Sequence, residues 1–274
     1  FPARLLTSGP AGGAKAAEGV SESSGTSLGA SGVVAAEAIS RSSGLDEVIS
    51  LDIGGTSADI AVILGGEANL VHEFAPQFGQ PVKFPAVDLV TIGAGGGSIA
   101  WVDPGRLPHV GPQSAGAIPG PAAYKRGGVE PTATDANLVL GRLAEDVDLA
   151  SGIRLDLAAA TKAVERFAEP LGLGVEEAAL GILDIANNNM AKSIRIVTVE
   201  RGLDPRGFTL VPFGGAGPLF AAELAEILGM SRIVVPVSPG VTSALGCLYT
   251  DITHDNSESH IVSLEDADHD VLQG

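Results

Sequence analysis

Cysteine and long apolar runs are both scarce in this sequence. Cys247 is the single cysteine among 274 residues, so no disulfide can form within the chain, and we expect a reducing, cytoplasmic compartment. The neighbours of Cys247 are small and apolar, which favours a buried thiol over a nucleophile. No apolar run approaches the roughly 20 residues of a membrane-spanning helix. No charged segment followed by an apolar one opens the chain, so we expect neither an export signal nor a membrane partner.

Basic residues are also few, since 16 Lys and Arg stand against 33 Asp and Glu, for a formal net charge of −17. The negative electrostatic potential of such a chain disfavours nucleic acid and anionic membranes as partners. It disfavours ATP at long range as well, so a phosphate site must rely on local N–H groups and a metal ion. An apolar fraction of 45% with 18% charged residues is typical of a globular protein and not of a disordered one.

Several familiar site motifs are missing. The segment from Gly9 to Lys15 lacks the spacing and hydroxyl of a Walker-type phosphate loop. The nucleophile pattern G-x-S-x-G occurs once, as GTSLG at residues 25–29, but it follows a Ser-rich loop and not a predicted strand, so no nucleophile elbow is recognised. No H-x-x-x-H or H-x-H pair with a nearby acid suggests a helical metal site. The turn GAGGGS nearly fits the dinucleotide pattern, but IAWV after it predicts a strand, which argues against a Rossmann site.

The stretch LDIGGTSADIAVI, residues 51–63, places small polar groups between two apolar strands. A plain structural hairpin is one interpretation, because Gly-Gly is a common hairpin signal. A phosphate site is the other, since glycines allow close backbone approach and hydroxyls add donors beside main-chain N–H groups. Two acids here would repel a bare phosphate and fit only if a cation such as Mg²⁺ lies between them. The candidate contacts are Asp52, Asp59, Gly54, Gly55, Thr56 and Ser57.

Three glycine turns, at 54–57, 93–98 and 214–217, each follow an apolar strand. This repetition predicts loops gathered at one edge of a sheet, where α/β proteins bind ligands. The third turn opens a helix, so a ligand there would meet free N–H groups and the positive end of the helix dipole. Tight strand–helix packing is the alternative for that turn. The further candidate binding residues are Gly95, Gly96, Gly214, Gly215 and Gly217.

A helical pattern dominates the middle of the chain, with apolar positions at three- and four-residue spacing over 155–170 and 175–200. Asp135, after the run EPTAT, either caps the helix that follows or faces a ligand. Three consecutive asparagines, 187–189, suit either polar contact with another element or solvent exposure. The candidate catalytic acids are Asp52, Asp59 and Asp135.

The sequence divides into three predicted segments. Residues 1–44, rich in Gly, Ala and Ser, are expected to form a helical connecting segment. Residues 45–255 are the predicted core, in which 104–132 is an ordered Pro- and Gly-rich loop and 133–200 is a helical part. The polar, acidic residues 256–274 are expected to begin a further C-terminal region.

Several blocks of the sequence together resemble the hydantoinase A and 5-oxoprolinase family, which also includes subunits of acetone and acetophenone carboxylases. The blocks include SGPAGG, LDIGGTSADIAVI, TIGAGGGSIAWVD, FGGAGPLFAAELAEILG and VTSALG. They occur in the family's order from about Leu5 to Asp255. The resemblance implies an α/β fold: one lobe of an actin-like, ribonuclease-H-like ATPase, with a mixed sheet flanked by helices.

The resemblance also implies the ligands, ATP and Mg²⁺. The DIGGTSAD turn looks like a phosphate turn of such ATPases, and FGGAGP looks like the adenosine-side turn. It therefore assigns phosphate and Mg²⁺ contacts to Asp52 and the glycine turn after it, with Asp52 as the metal ligand. It assigns nucleotide contacts to Gly214, Gly215 and Gly217.

The chain departs from the family pattern in ways that matter. The family's first phosphate turn is missing, so we expect a second lobe of a longer polypeptide, with an N-terminal lobe and a hydantoinase B-type subunit as partners. Many family members have histidines where this sequence has Val90 and Phe220, which alters any transition-metal site there. The family's PGPACY is PGPAAY here, with Ala123 in place of cysteine.

Three functions remain open at this point. The leading one is an ATP-dependent hydrolase that opens a cyclic amide of the hydantoin or 5-oxoproline type by phosphorylating the amide oxygen. A subunit of an ATP-dependent ketone carboxylase is the second. A nucleotide-binding or assembly subunit without turnover of its own is the third.

Overall fold

A six-stranded mixed sheet lies at the centre of the protein in the computed structural model, which describes residues 28–71, 86–146 and 152–250. The described strands are β1 (Glu47–Ile53), β2 (Ala58–Leu64), β3 (Glu67–Ala68), β4 (Leu70–Val71), β5 (Ala86–Val87), β6 (Leu89–Ile92), β7 (Ser98–Val102), β8 (Pro108–Ser114), β9 (Thr209–Phe213) and β10 (Arg232–Ile233). The described helices are α1 (Leu28–Ser43), α2 (Ala133–Val139), α3 (Leu157–Ala168), α4 (Val175–Val199), α5 (Gly217–Leu228) and α6 (Thr242–Tyr249). Short 3₁₀ turns occupy Ala122–Tyr124, Glu169–Leu171, Pro205–Gly207 and Pro239–Val241.

The central sheet has the strand order β10-β9-β1-β2-β3, and β6 also pairs with β2. Strands β10, β9 and β1 run parallel, whereas β2 is antiparallel to β1, β3 and β6. Strands β1, β9 and β6 therefore all point the same way, and their carboxyl ends meet at one edge. Two further pairs, β4–β5 and β7–β8, form separate two-stranded sheets.

Both faces of the central sheet are buried, which explains why its strands are almost continuously apolar. On β1, Ile49, Leu51 and Ile53 point into the larger apolar cluster, which includes residues of α4 and α5. Val48, one position out of phase, packs with Val33 of α1 in a second cluster. Helices thus cover the sheet on two sides, and the predicted α/β class with a mixed sheet flanked by helices is confirmed.

Local sequence signals account for the limits of two central helices. Helix α4 starts after Gly174 with Glu176 and Glu177 in its first turn, where acidic side chains stabilise the dipole. Helix α5 carries Pro218 in its first turn and ends at Gly229, whose φ of 70° is the left-handed C-terminal conformation. None of the described helices combines the length and the apolar character needed to cross a membrane.

The predicted loop at 104–132 is wrong in one part, because residues Pro108–Ser114 form β8 and pair with β7. Prolines disfavour strands, but Pro108 starts β8 and Pro112 lies in an edge strand, where an N–H donor is not needed. The apolar run RIVVPV, residues 232–237, has the composition of a strand, but only Arg232–Ile233 form one, β10. The helical prediction for the connecting segment holds over Leu28–Ser43, while its first 27 residues and the acidic tail lie outside the described residues.

Candidate functional site

Two aspartates face each other at the end of the central hairpin. Asp52 of β1 is directly opposite Asp59 of β2 in the antiparallel register. Residues paired in this way have side chains on the same face of the sheet, a few ångströms apart, and two like charges so placed are destabilising. Burial raises the pKa of Asp52 above its usual value, a hydrogen bond from Ser243 works against this rise, and the charge of Asp59 adds to it. A proton or a cation would relieve this repulsion.

This raised pKa has a consequence for stability. The folded protein binds a proton at Asp52 more tightly than the unfolded chain does, so the charged carboxylate lowers the free energy of unfolding at neutral pH. That penalty disappears as the pH falls through the folded pKa towards the unfolded value of 3.8. We expect Asp52→Asn to be more stable than wild type at pH 7, with the difference vanishing below about pH 4. Denaturant unfolding of both proteins across this range measures it, and a difference that stays constant with pH would contradict it.

Each carboxylate also accepts a hydrogen bond from a hydroxyl. Ser243 of α6 donates to Asp52 Oδ2 at 2.6 Å, and Thr91 of β6 donates to Asp59 Oδ1 at 2.5 Å. Sequence reasoning did not single out either hydroxyl as a site residue. Ser243 stands in the VTSALG block, but nothing in its spacing links it to an acid 191 residues away.

The first glycine turn, residues 54–57, joins the two aspartate-bearing strands. The N–H of Gly54 donates to Ser57 O at 3.0 Å and closes the turn. Gly55 and Thr56 are exposed, and their N–H groups have no protein acceptor within the described ranges. A Cβ on Gly55 would meet no atom of the described residues within 4 Å. The tip of the turn is therefore open backbone beside two acids, as a site for a metal-bound phosphate requires.

The second glycine turn, residues 93–98, packs under the first one. Gly96 and Gly97 donate to Gly54 O and Gly55 O at 3.0 and 2.7 Å, and the N–H of Gly95 donates to Ser98 Oγ at 2.9 Å. Gly95 and Gly96, which sequence reasoning made binding residues, are buried, and their N–H groups are already bonded within the protein. In this geometry they support the first turn and do not face a ligand.

Substitution of Gly95 by alanine tests whether the second glycine turn supports the first. The alanine Cβ would lie 2.8 Å from Gly54 O and 2.9 Å from Gly55 C and O, all backbone atoms that cannot rotate away. We expect Gly95→Ala to lower the free energy of unfolding by about 1–3 kcal/mol and to displace the first turn. Gly55→Ala is the matched control, because its Cβ meets nothing. Equal stability of the two variants in denaturant unfolding would show that the second turn does not hold the first.

The third glycine turn lies on the other side of Asp52. Gly214 has a φ of 82°, and a Cβ there would lie 2.3 Å from Asp52 Oδ1. The N–H of Ala216 donates to Ile53 O at 2.9 Å, Gly215 is exposed, and Gly217 begins α5. The three turns thus meet at the carboxyl edge of β1, β6 and β9, as predicted from the sequence.

Asp135 has a different place from the other two candidate acids. It is fully buried and accepts hydrogen bonds from the N–H groups of Ala122, Ala123 and Thr132 and from the Thr132 hydroxyl. With Thr132 it forms a reciprocal cap at the start of α2. Burial raises its pKa, and these hydrogen bonds oppose the rise. Of the two roles left open by the sequence, the structure shows the cap, and the oxygens of Asp135 already accept from four donors. Its place among the catalytic acids stays a prediction.

The positions of the two missing histidines are apolar and packed. Val90 lies opposite Ile60 in the β2–β6 register and packs against the larger apolar cluster. Phe220 is 1% exposed within that cluster. Among the described residues no group of three or more His, Cys, Asp or Glu could hold a metal ion.

A magnesium ion places smaller demands on the protein than a transition metal. Mg²⁺ is commonly held by one or two carboxylates together with water and phosphate oxygens. Asp52 and Asp59 supply two facing carboxylates whose repulsion a cation would offset. The donor set therefore fits Mg²⁺ bound jointly with a phosphate group at the first turn.

Comparison with known proteins decides the family. The family model Hydantoinase/oxoprolinase matches residues 24–256. The chain belongs to this family. The α/β fold is shared with two solved structures that superimpose on the chain, and the actin-like assignment stays a prediction.

Named relatives of this family member fall into two groups. The caprolactamase subunit alpha of Pseudomonas jessenii is 43% identical over 84% of the chain and 33% of its own length. The crystal structure of the ATP-dependent caprolactamase from that organism superimposes with a TM-score of 0.72 over 79% of the chain and 31% of its own. The acetophenone carboxylase gamma subunit of Aromatoleum aromaticum is 40% identical over 76% of the chain and 28% of its own length.

A nucleotide-free acetone carboxylase structure is 32% identical, with a TM-score of 0.73 over 81% of the chain and 31% of its own. The chain spans about a third of the length of these relatives.

Proposed function

We propose that this chain is the nucleotide-binding core of an ATP-dependent enzyme that opens a cyclic amide. The observation that carries the proposal is the facing pair Asp52 and Asp59 beside a turn whose N–H groups at Gly55 and Thr56 have no acceptor among the described residues. Two opposed, partly buried carboxylates cost stability in the free protein, and a metal-bound phosphate offsets that cost. The name of the caprolactamase relative supports the reaction class.

The proposed roles follow from where each group lies. The N–H groups of Gly55 and Thr56 bind phosphate oxygens at the tip of the first turn, and the third turn adds the positive end of α5. Asp52 holds Mg²⁺, with Asp59 opposite it. When bound, Mg²⁺ supplies positive charge that neutralises the phosphates during transfer. The second glycine turn fixes the first, so the N–H donors need no rearrangement during the reaction.

The proposed reaction transfers a phosphoryl group from ATP to the oxygen of the substrate's cyclic amide. Phosphorylation withdraws electrons from the amide carbon, which makes that carbon open to attack by water. Water then adds at this carbon, and the ring nitrogen leaves as an amine, taking a proton as the C–N bond breaks and an acyl phosphate forms. A second water hydrolyses the acyl phosphate to the carboxylate and inorganic phosphate. No covalent protein intermediate is needed, so positioning and electrostatic stabilisation carry the catalysis.

ATP hydrolysis by the full-length protein, with and without hydantoin, 5-oxoproline or caprolactam, tests this function. We expect at least one cyclic amide to stimulate hydrolysis by about tenfold or more, as a substrate that completes the site would. Asp52→Asn serves as the inactive control. Nucleotide binding with no turnover under any of these conditions would contradict the proposed cyclic-amide reaction.

A ketone carboxylase subunit is the second candidate, favoured by the likeness to acetophenone and acetone carboxylases. The same phosphate site would then activate a ketone enolate for carboxylation. Stimulation of ATP hydrolysis by acetone or acetophenone with bicarbonate, and not by cyclic amides, would decide for it. Partners related to the other subunits of such enzymes would be required in that case.

A further inference from the structure

We propose that Ser243 and Thr91 are positioning residues that fix the two facing carboxylates for cation binding. Each hydroxyl donates to one oxygen of one acid, at 2.6 Å for Asp52 and 2.5 Å for Asp59. No hydrogen bond from the residues that the structure describes reaches the other oxygen of either acid, which leaves that oxygen for the ion. This inference rests on the proposed Mg-nucleotide site and assigns the residues that orient it.

Ser243 is held in place by an unusually close contact between two helices. It lies on α6, and a Cβ on Gly246 of the same helix would fall 1.7 Å from Ser31 O of α1, so no side chain fits between them. Cys247 donates to the Ser31 hydroxyl at 3.0 Å in the same contact. Gly32 of α1 has no side chain to crowd Ser243, because a Cβ on Gly32 would lie only 3.2 Å from Ser243 Oγ. The hydroxyl therefore has little freedom to leave Asp52.

Thr91 reaches Asp59 through strand register. It lies directly opposite Asp59 in the antiparallel pairing of β6 with β2. Side chains opposite each other share a face of the sheet, so the Thr91 hydroxyl meets the near carboxylate oxygen. Asp59 thus has Asp52 on one side and a hydroxyl donor on the other. Since Thr91 is exposed, removing its hydroxyl leaves the core intact.

The remaining oxygens of both acids lie beside glycines. Asp52 Oδ1 would be 2.3 Å from a Cβ on Gly214, and Asp59 Oδ2 would be 3.1 Å from a Cβ on Gly29 of α1. Any larger residue at these positions would cover the oxygens. The two hydroxyls fix one oxygen of each acid, and the two glycines keep side chains away from the other. Partners that orient metal ligands in this way typically change metal affinity 10–100-fold when they are removed.

Calorimetric titration of Mg²⁺ into the full-length protein with a non-hydrolysable ATP analogue tests the proposal. We expect Ser243→Ala and Thr91→Ala each to weaken Mg²⁺ binding by about tenfold, and Ser243→Thr and Thr91→Ser to restore it. Thermal unfolding of each variant checks the fold. Ser193→Ala is the matched control, because within the described residues this half-buried helical serine donates to its own helix, at Asn189 O.

The possible outcomes separate this inference from the proposed function. If Asp52→Asn loses Mg²⁺ binding while both alanine variants bind as wild type does, the positioning role is wrong and the site stands. If Asp52→Asn also binds as wild type does, both are wrong. Failure of Ser243→Thr and Thr91→Ser to restore affinity would assign the loss to packing and overturn the positioning role. Should Ser243→Ala fail to fold, the exposed Thr91 pair alone decides.

Discussion

Asp52→Asn is expected to reduce Mg²⁺-dependent ATP binding on the order of 100-fold and, at the same time, to make the protein more stable at neutral pH. The amide keeps the shape of the carboxylate and can still accept from Ser243. It removes the charge whose burial and repulsion from Asp59 raise the pKa of Asp52. Relief of such strain at functional sites is commonly worth about 1 kcal/mol.

Two measurements on one variant check this prediction. Calorimetry with an ATP analogue and Mg²⁺ gives the affinity, and thermal unfolding without ligand gives the stability. Asp46→Asn is the matched control, because it removes the same charge from an exposed residue just before β1. An Asp52→Asn protein that binds Mg-ATP as tightly as wild type would remove Asp52 from the site.

Gly55→Val is expected to lose nucleotide affinity by about 100-fold while keeping or slightly raising its stability. A Cβ at Gly55 meets no protein atom within 4 Å, and its φ lies outside the left-handed region. Replacing a glycine without native-state strain restricts the unfolded chain and can add about 0.4–1 kcal/mol of stability. The branched side chain would instead occupy the space in which the proposed phosphate lies.

The control for Gly55→Val is Gly181→Val on α4, another glycine whose Cβ would meet nothing within 4 Å. Both variants should unfold near the wild-type temperature, and only Gly55→Val should lose the thermal shift that ATP with Mg²⁺ produces. Persistence of that shift in Gly55→Val would show that phosphate does not lie on the turn.

The positions of the three glycine turns could be predicted from the sequence, because each turn depends on only a few neighbouring residues. Glycine turns follow strands over a few residues, and the parallel arrangement of strand ends then gathers them at one edge. The long helix α4 and the hairpin around residues 54–57 also follow from short-range signals. These features depend on periodicity and turn chemistry, which a single sequence carries.

Long-range contacts account for what the sequence did not predict. The bond between Ser243 and Asp52 joins residues 191 positions apart. Gly95 stands in a glycine-rich turn, a composition that predicts a ligand contact. Only the structure shows that its N–H already donates to Ser98 Oγ and that the second turn packs against Gly54 and Gly55. Asp135 is likewise positioned by the loop at Ala122, which folds back onto the start of α2 and donates its Ala122 N–H to the Asp135 carboxylate.

A crystal structure of the full-length protein with Mg²⁺ and a non-hydrolysable ATP analogue tests the central claim most directly. We expect phosphate oxygens within hydrogen-bond distance of the Gly55 and Thr56 N–H groups, and the metal ion at Asp52. Phosphates bound away from residues 54–57, or a metal ion that does not contact Asp52, would contradict it.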